Sequence, residues 1–275
     1  MKNGKRSLLL WLVLSPLLLV ILFPFAVMFL TAVKPRSEVF SYPPRWLPTS
    51  FRWENFVDMW YAANFGSALW NSLVISIGAT ILVLIVSVPA AYAIARFTFA
   101  FKQPFSQFLL ATQMLSPILL VLGLFHLAVF CGLIDSKYAL IFIYAAFNIA
   151  FAVWMLRSYF GSIPVELEEA ALIDGCSRLA AIIRIFVPLA LPAMVVTAIF
   201  TFINSWNEFV VALTLLRSQD NFTLPLRVFS LVGGRYTVEW EQVMAATLLA
   251  TLPVAILFSW LQRYLMGGLT MGAIK

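Results

Sequence analysis

The residues with chemistry to offer are concentrated in one stretch, PVELEEAALIDGCSRLAAIIRIFVP, at positions 164–188. Glu166, Glu168 and Glu169 crowd what would be the first turns of a helix, where the helix dipole favours negative charge, and Pro164 suits the first helical position because its missing N–H costs nothing there. Leu167, Ala170 and Ala171 follow at i, i+3 and i+4, a narrow face whose later members are only methyl groups. Asp174-Gly175 then breaks the helix, and Ser177 can cap a second one running through Leu179, Ile182 and Ile183 toward Pro188. An alanine face behind an acidic first turn is suited to close approach by another protein. The same pattern also fits a helix that merely joins its two neighbours.

Those neighbours are far more apolar. Of 275 residues, 63% are hydrophobic and 11% charged, with mean hydropathy +0.96, more apolar surface than a water-soluble body of this length can hide. Crossing a bilayer core of about 30 Å takes about 20 apolar residues. Six runs of that kind lie near 8–33, 68–95, 105–130, 138–160, 189–213 and 242–265. The first follows Lys2, Lys5 and Arg6 but is too long for a signal peptide and lacks a small-x-small cleavage site, so it reads as a retained span. The expected fold is therefore all-α, a polytopic membrane protein with six transmembrane helices.

An even number of spans puts both termini on one side. With cytoplasmic termini, the inner segments hold ten of the 18 basic residues, including Arg96 and Lys102 in a short connection with no acid, and this is the orientation expected. The net charge of +6 is then a topological signal rather than a nucleic-acid footprint. Residues 34–67 form a long outer segment, Pro-rich and then studded with Phe51, Trp53, Phe56 and Trp60, which suits the headgroup layer or a docking partner. Residues 214–241 form a second outer loop. Cys131 and Cys176 fall on opposite faces, so they form no disulfide and no metal site.

Polar groups inside the spans are the other candidates. Glu208 is the only acid in a predicted span and lies about 28 Å from its inner end at 1.5 Å per residue, close to the outer boundary. A salt bridge, an interface role or contact with a solute are all compatible with that depth. Asn204, Asn207, Asn148, Gln113 and Asn71 carry amides that donate and accept toward hydroxyl groups, although helix-to-helix hydrogen bonding serves the same groups. Trp206 could offer its face to a sugar ring or pack against a neighbour. The single His126, in an apolar run, reads as a packing residue. There is no GxxxxGK[ST] phosphate loop and no acid or histidine chain through the spans for proton coupling, so no catalytic residue is expected and energy must come from a partner.

The spacing in the charged stretch adds specificity. Glu169-Ala170-Ala171, three residues, Gly175, nine residues, Ile185, one residue, then Val187-Pro188 resembles EAA-x3-G-x9-I-x-L-P, the signature of permease subunits of ABC importers, with Val187 in place of Leu. Asn71-Ser72-Leu73, Trp206-Asn207-Glu208-Phe209, Thr223-Leu224-Pro225-Leu226, Pro253 and Gln262-Arg263 are similar to the carbohydrate, maltose-type branch. The tail Gly268-Leu269-Thr270-Met271-Gly272-Ala273-Ile274-Lys275 resembles GLT-x-G-A-V-K-G, with Ile274 for Val and no glycine after Lys275.

The resemblance implies a single permease domain over 1–275 of the type I importer kind, with a coupling loop at about 161–188 that docks on a cytoplasmic ATPase. It makes Glu169 the charged contact, Ala170 and Ala171 the close-packed face and Asp174-Gly175 the turn, with Gly268, Leu269, Thr270 and Gly272 a second docking element. It implies a second permease subunit, two ATPase subunits that carry the ATP and Mg, an extracytoplasmic solute-binding protein, a sugar as cargo, and residence in the bacterial inner membrane. This chain would bind no cofactor and catalyse nothing itself. Another organic cargo, such as a polyamine or a glycerophosphodiester, is the alternative within the class. An autonomous secondary transporter or membrane enzyme is the alternative outside it.

Overall fold

The computed structural model describes residues 2–233 and 237–271, with side chains described for 11–233 and 237–260. Among these residues regular structure is helical. Four helices have apolar stretches long enough to cross a bilayer: α1 (Lys2–Ala32), α3 (Phe65–Arg96), α6 (Lys137–Ser162) and α12 (Trp240–Met271, apolar through Trp260). Pro16, Pro24, Pro89 and Pro253 sit inside these long helices, a placement that membrane helices tolerate better than soluble ones.

The other two predicted spans are not straight rods. The run at 105–130 is α4 (Lys102–Thr112) and α5 (Pro117–Phe130), bent by 97°. The cause is local: Pro117 disfavours helical geometry in the residue before it, and Ser116 is extended at φ −70°, ψ 134°. The run at 189–213 is preceded by α8 (Arg178–Leu189), which meets α9 (Leu191–Asn207) at 80°. α9 then stops at Glu208, itself extended at φ −68°, ψ 129°, before α10 (Val210–Leu215) begins. Seventeen residues rise only about 26 Å, so α9 alone falls short of the hydrocarbon thickness.

The chain divides into two compact units. The first comprises residues 1–66 and 227–253. Here the end of α1 is tied to the aromatic segment: Asn55 Nδ2 donates to the carbonyls of Ala32 at 2.8 Å and Lys34 at 2.9 Å, and the Arg52 amide donates to Val33 O at 2.8 Å. Glu38 accepts from the amide and hydroxyl of Thr49, and Arg36 pairs with Glu239 at 2.6 Å. Phe51, Trp53 and Phe56 form a stack at the start of α2 (Glu54–Ala62), whose buried residues are Asn55 and Met59.

The second unit comprises residues 67–226 and 254–275. Helix α6 is its axis, burying Leu140, Tyr144, Asn148, Val153, Leu156 and Phe160 along its length. Against it, α3 approaches closely at Gly78, where an added methyl group would lie 2.9 Å from Ile141 Cδ1. That is the small-residue contact by which membrane helices gain dispersion energy without help from the hydrophobic effect. At one end, Tyr92, Phe160, Ile163, Ile182, Phe186 and Ala190 form one core, and at the other Ile75, Leu140, Tyr144, Val211, Leu215 and Leu226 form a second.

Candidate functional site

The charged stretch folds as its spacing predicts, with small shifts. Helix α7 runs Val165–Ile173, so Pro164 stands one position earlier than expected, as the extended residue before the helix. The helix ends in a paired motif: Cys176 N–H donates to Ala171 O at 3.0 Å and Gly175 N–H to Leu172 O at 3.1 Å, with Gly175 at φ +82°. Ser177 Oγ then accepts from the Ala180 amide at 3.2 Å and starts α8. Within α8, Ile182–Phe186 widens to π geometry and the Val187 amide reaches Ile182 O, which relieves the clash that Pro188 would make in an ordinary turn.

Side-chain directions divide α7 into two faces. Glu169, Ala170, Asp174 and Gly175 are exposed, and Ile173 is 86% exposed. Ala171 turns inward at 8%, so of the two motif alanines only Ala170 is presented outward. Glu168, which its spacing did not single out, is the buried acid of the helix. Its carboxylate accepts from the Tyr92 hydroxyl and lies 3.2 Å from Arg96 Nε.

The in-span polar residues separate into two groups. A cavity of about 440 Å³ is lined by Gln113, Asn148, Asn204 and Glu208, together with Tyr144 and Phe147. Both helix breaks border it, through Gln113, Leu115 and Pro117 on one side and Ser205 and Glu208 on the other. Asn204 Nδ2 donates to Asn148 Oδ1 at 3.0 Å, Asn148 Nδ2 to Tyr144 O at 2.8 Å, and Gln113 Nε2 to Phe147 O at 3.1 Å. The Glu208 carboxylate is met by the Tyr144 hydroxyl at 2.6 Å and by the amides of Val211 and Ala212 at 2.8 and 3.2 Å. It thus caps α10, a role available to an acid ahead of a helix start; among the described residues it forms no ion pair.

Asn71, Trp206 and Asn207 do not line this cavity. Asn71 Nδ2 holds the carbonyls of Asp220 at 2.7 Å and Phe222 at 3.1 Å, and its oxygen accepts from Lys137 Nζ at 2.9 Å. The next residue, Ser72, accepts from the Leu224 amide at 2.7 Å, where α11 (Leu224–Ser230) begins, so the Asn-Ser-Leu and Thr-Leu-Pro-Leu motifs form one clamp. Trp206 is 3% exposed and stacks on Phe202 at 5.5 Å. Asn207 is exposed at the end of α9. His126 sits on the exposed face of α5, edge-on to Phe125. Of the tail residues, the backbone of Gly268, Leu269 and Thr270 continues α12, and Gly272 lies outside the described residues.

Comparison with known proteins agrees with this architecture. Residues 84–270 match the family described as binding-protein-dependent transport system inner membrane component, and the chain belongs to that family. Its relatives are ABC transporter permeases. YcjP of Escherichia coli, an inner membrane ABC transporter permease protein, is 36% identical over 95% of this chain and 94% of that protein. DasC of Streptomyces coelicolor, a diacetylchitobiose uptake system permease protein, is 33% identical over 93% and 92%. MalG of Thermococcus litoralis, a trehalose/maltose transport system permease protein, is 35% identical over 77% and 76%. A crystal structure of a bacterial ABC transporter that imports the acidic polysaccharide alginate contains the same fold, with TM-score 0.80 over 96% of this chain and 98% of that one at 22% identity.

Proposed function

We propose that this chain is one permease subunit of an ATP-driven importer for a sugar or sugar derivative. A second, different permease supplies the other half of the path, two ATPase subunits dock on the cytoplasmic side, and a solute-binding protein delivers cargo from outside. The cavity carries the reading. Its volume is within the range of small-molecule sites, and Gln113, Asn148, Asn204 and Glu208 offer both donors and acceptors, as a hydroxyl-rich solute requires. The names of the diacetylchitobiose and trehalose/maltose relatives support the same substrate class.

Both termini lie in the cytoplasm in this reading, and so does α7. The exposed Glu169 and Ala170, with Asp174 and Gly175 closing the helix, form the ATPase contact, and the tail residues Gly268, Leu269, Thr270 and Gly272 add a second one. ATP and Mg are held by the ATPases, and closure of their dimer moves α7 as a unit. The test is uptake by proteoliposomes containing the whole complex, with ATP inside and loaded binding protein outside. Replacing Asn148 and Asn204 together by leucine is expected to cut uptake about tenfold or more while the complex still assembles. Unchanged uptake would remove the cavity from the path.

A further inference from the structure

The structure joins α7 to α3 through a buried charge pair, and we propose that Arg96 and Glu168 are the positioning residues that deliver the displacement of α7 to that span. The inference rests on α7 being the helix on which the ATPase docks. Glu168 is 7% exposed although its sequence neighbour Glu169 is exposed, so the two acids serve different faces of one helix. One Glu168 oxygen takes the Tyr92 hydroxyl; the other faces Arg96 Nε at 3.2 Å, with both side chains more than nine-tenths buried.

Arg96 reaches further. Its terminal nitrogen donates to Ile163 O, the carbonyl just past the end of α6, at 2.6 Å, and its guanidinium lies 5.0 Å from the centre of the Phe186 ring in α8. Tyr92 meets the same ring edge-on at 5.0 Å, and Phe160 of α6 meets it at 5.7 Å. A single cation at the end of α3 therefore touches α6, α7 and α8. Apolar packing, already present here around Phe186 through Tyr92, Phe160 and Ile182, separates without leaving a charge behind, whereas a buried ion pair carries a large desolvation penalty and resists separation because each charge is left unpaired without the other.

The angle matters as much as the distance. Arg96 Nε is close to the carboxylate but is not aligned with it for a hydrogen bond. Coulomb attraction depends on separation and little on orientation, whereas a hydrogen bond weakens steeply when bent. The ion pair therefore opposes the departure of α7 from α3 over a range of angles, while the Tyr92 hydroxyl on the other carboxylate oxygen sets the orientation at rest.

The experiment compares wild-type complex with Arg96→Gln, Glu168→Gln and Tyr92→Phe in proteoliposomes, reading ATP hydrolysed and solute imported in the same vesicles. For either charge variant, solute moved per ATP is expected to fall about tenfold, with a smaller fall for Tyr92→Phe, while the ATPase still copurifies and turns over. A merely structural role would lower the yield of complex and leave that ratio at the wild-type value in what survives; this result would overturn the proposal. If Arg96→Gln fails to assemble, Glu168→Gln and Tyr92→Phe decide by the same ratio. Cross-linking of Ala170→Cys to the ATPase separates the two levels: loss of the cross-link in otherwise unaltered complex refutes docking by α7 and with it the joint, whereas an intact cross-link with an unchanged ratio refutes the joint alone.

Discussion

The Tyr144 hydroxyl donates to Glu208 Oε2 over 2.6 Å, and the carboxylate it meets also takes the Val211 and Ala212 amides. This places an acid in a predicted span with no ion pair among the described residues and starts α10 at the point where α9 ends. Replacing Glu208 by alanine should remove the cap and leave the Tyr144 hydroxyl without its acceptor, a loss of about 1–3 kcal/mol. Thermal unfolding of the purified complex measures it. Glu208→Gln, which keeps one carbonyl oxygen, should lose less than Glu208→Ala; equal losses would mean the hydrogen bonds are not what holds the break.

Gly175 tests the backbone alone. At φ +82° it has, apart from itself and its two chain neighbours, no atom within 4 Å of where a Cβ would stand, so crowding by the rest of the fold contributes nothing to a substitution there. Gly175→Val should destabilise the turn by about 1–2 kcal/mol through its backbone, and Gly175→Asn by less, because asparagine tolerates left-handed geometry. Copurification of the ATPase proposed to dock on α7 provides the readout, expected in the order glycine, asparagine, valine. Valine performing as well as glycine would show that the turn can be reached by another backbone path.

Asp135 gives a dependence on pH. It lies in the connection between α5 and α6, at φ +60°, and accepts from the amides of Arg217 and Ser218 at 2.9 and 3.1 Å and from the Ser218 hydroxyl. Burial raises its pKa, but the hydrogen bonds from Arg217 and Ser218 outweigh that and hold it below the ordinary value of 3.8. A depressed carboxyl pKa contributes stability that is fully present above 3.8 and is lost as pH falls through the lower folded value. Hydrogen exchange at Arg217 and Ser218 should therefore stay slow, relative to its intrinsic rate, at pH 5 and accelerate only below about pH 4. In Asp135→Asn the acid-dependent step should vanish.

The parts of this fold that were legible in the sequence are those set by local composition. Apolar length gave the spans, and the Asp174-Gly175 break with Ser177 beyond it gave both ends of the turn after α7. Pro117 makes Ser116 extended, but a span drawn over 105–130 from hydropathy alone passes over such a break. The break at Glu208 has only a weak local signal, an acid three and four residues ahead of the amides it caps, and the Tyr144 hydroxyl that also meets it comes from 64 residues away. Glu168 was hidden for a similar reason: beside Glu166 and Glu169 it is one more acid in a first turn, and only the approach of Arg96 and Tyr92 makes it different. Asn71 and Asn148 carry the same amide in equally apolar surroundings. One clamps a loop and the other borders a cavity, a distinction that depends on which backbone carbonyls happen to face them.

The two interrupted spans leave peptide groups of residues 113–116 and 208–209 without the continuous ladder that a lipid-facing helix needs, and they do so around a cavity lined by amides and a carboxylate. Such backbone is tolerated at membrane depth only where protein or water meets it. If the proposed second permease covers this notch, a cell's membrane voltage depends on that cover, and planar-bilayer conductance of the chain alone should exceed that of the pair.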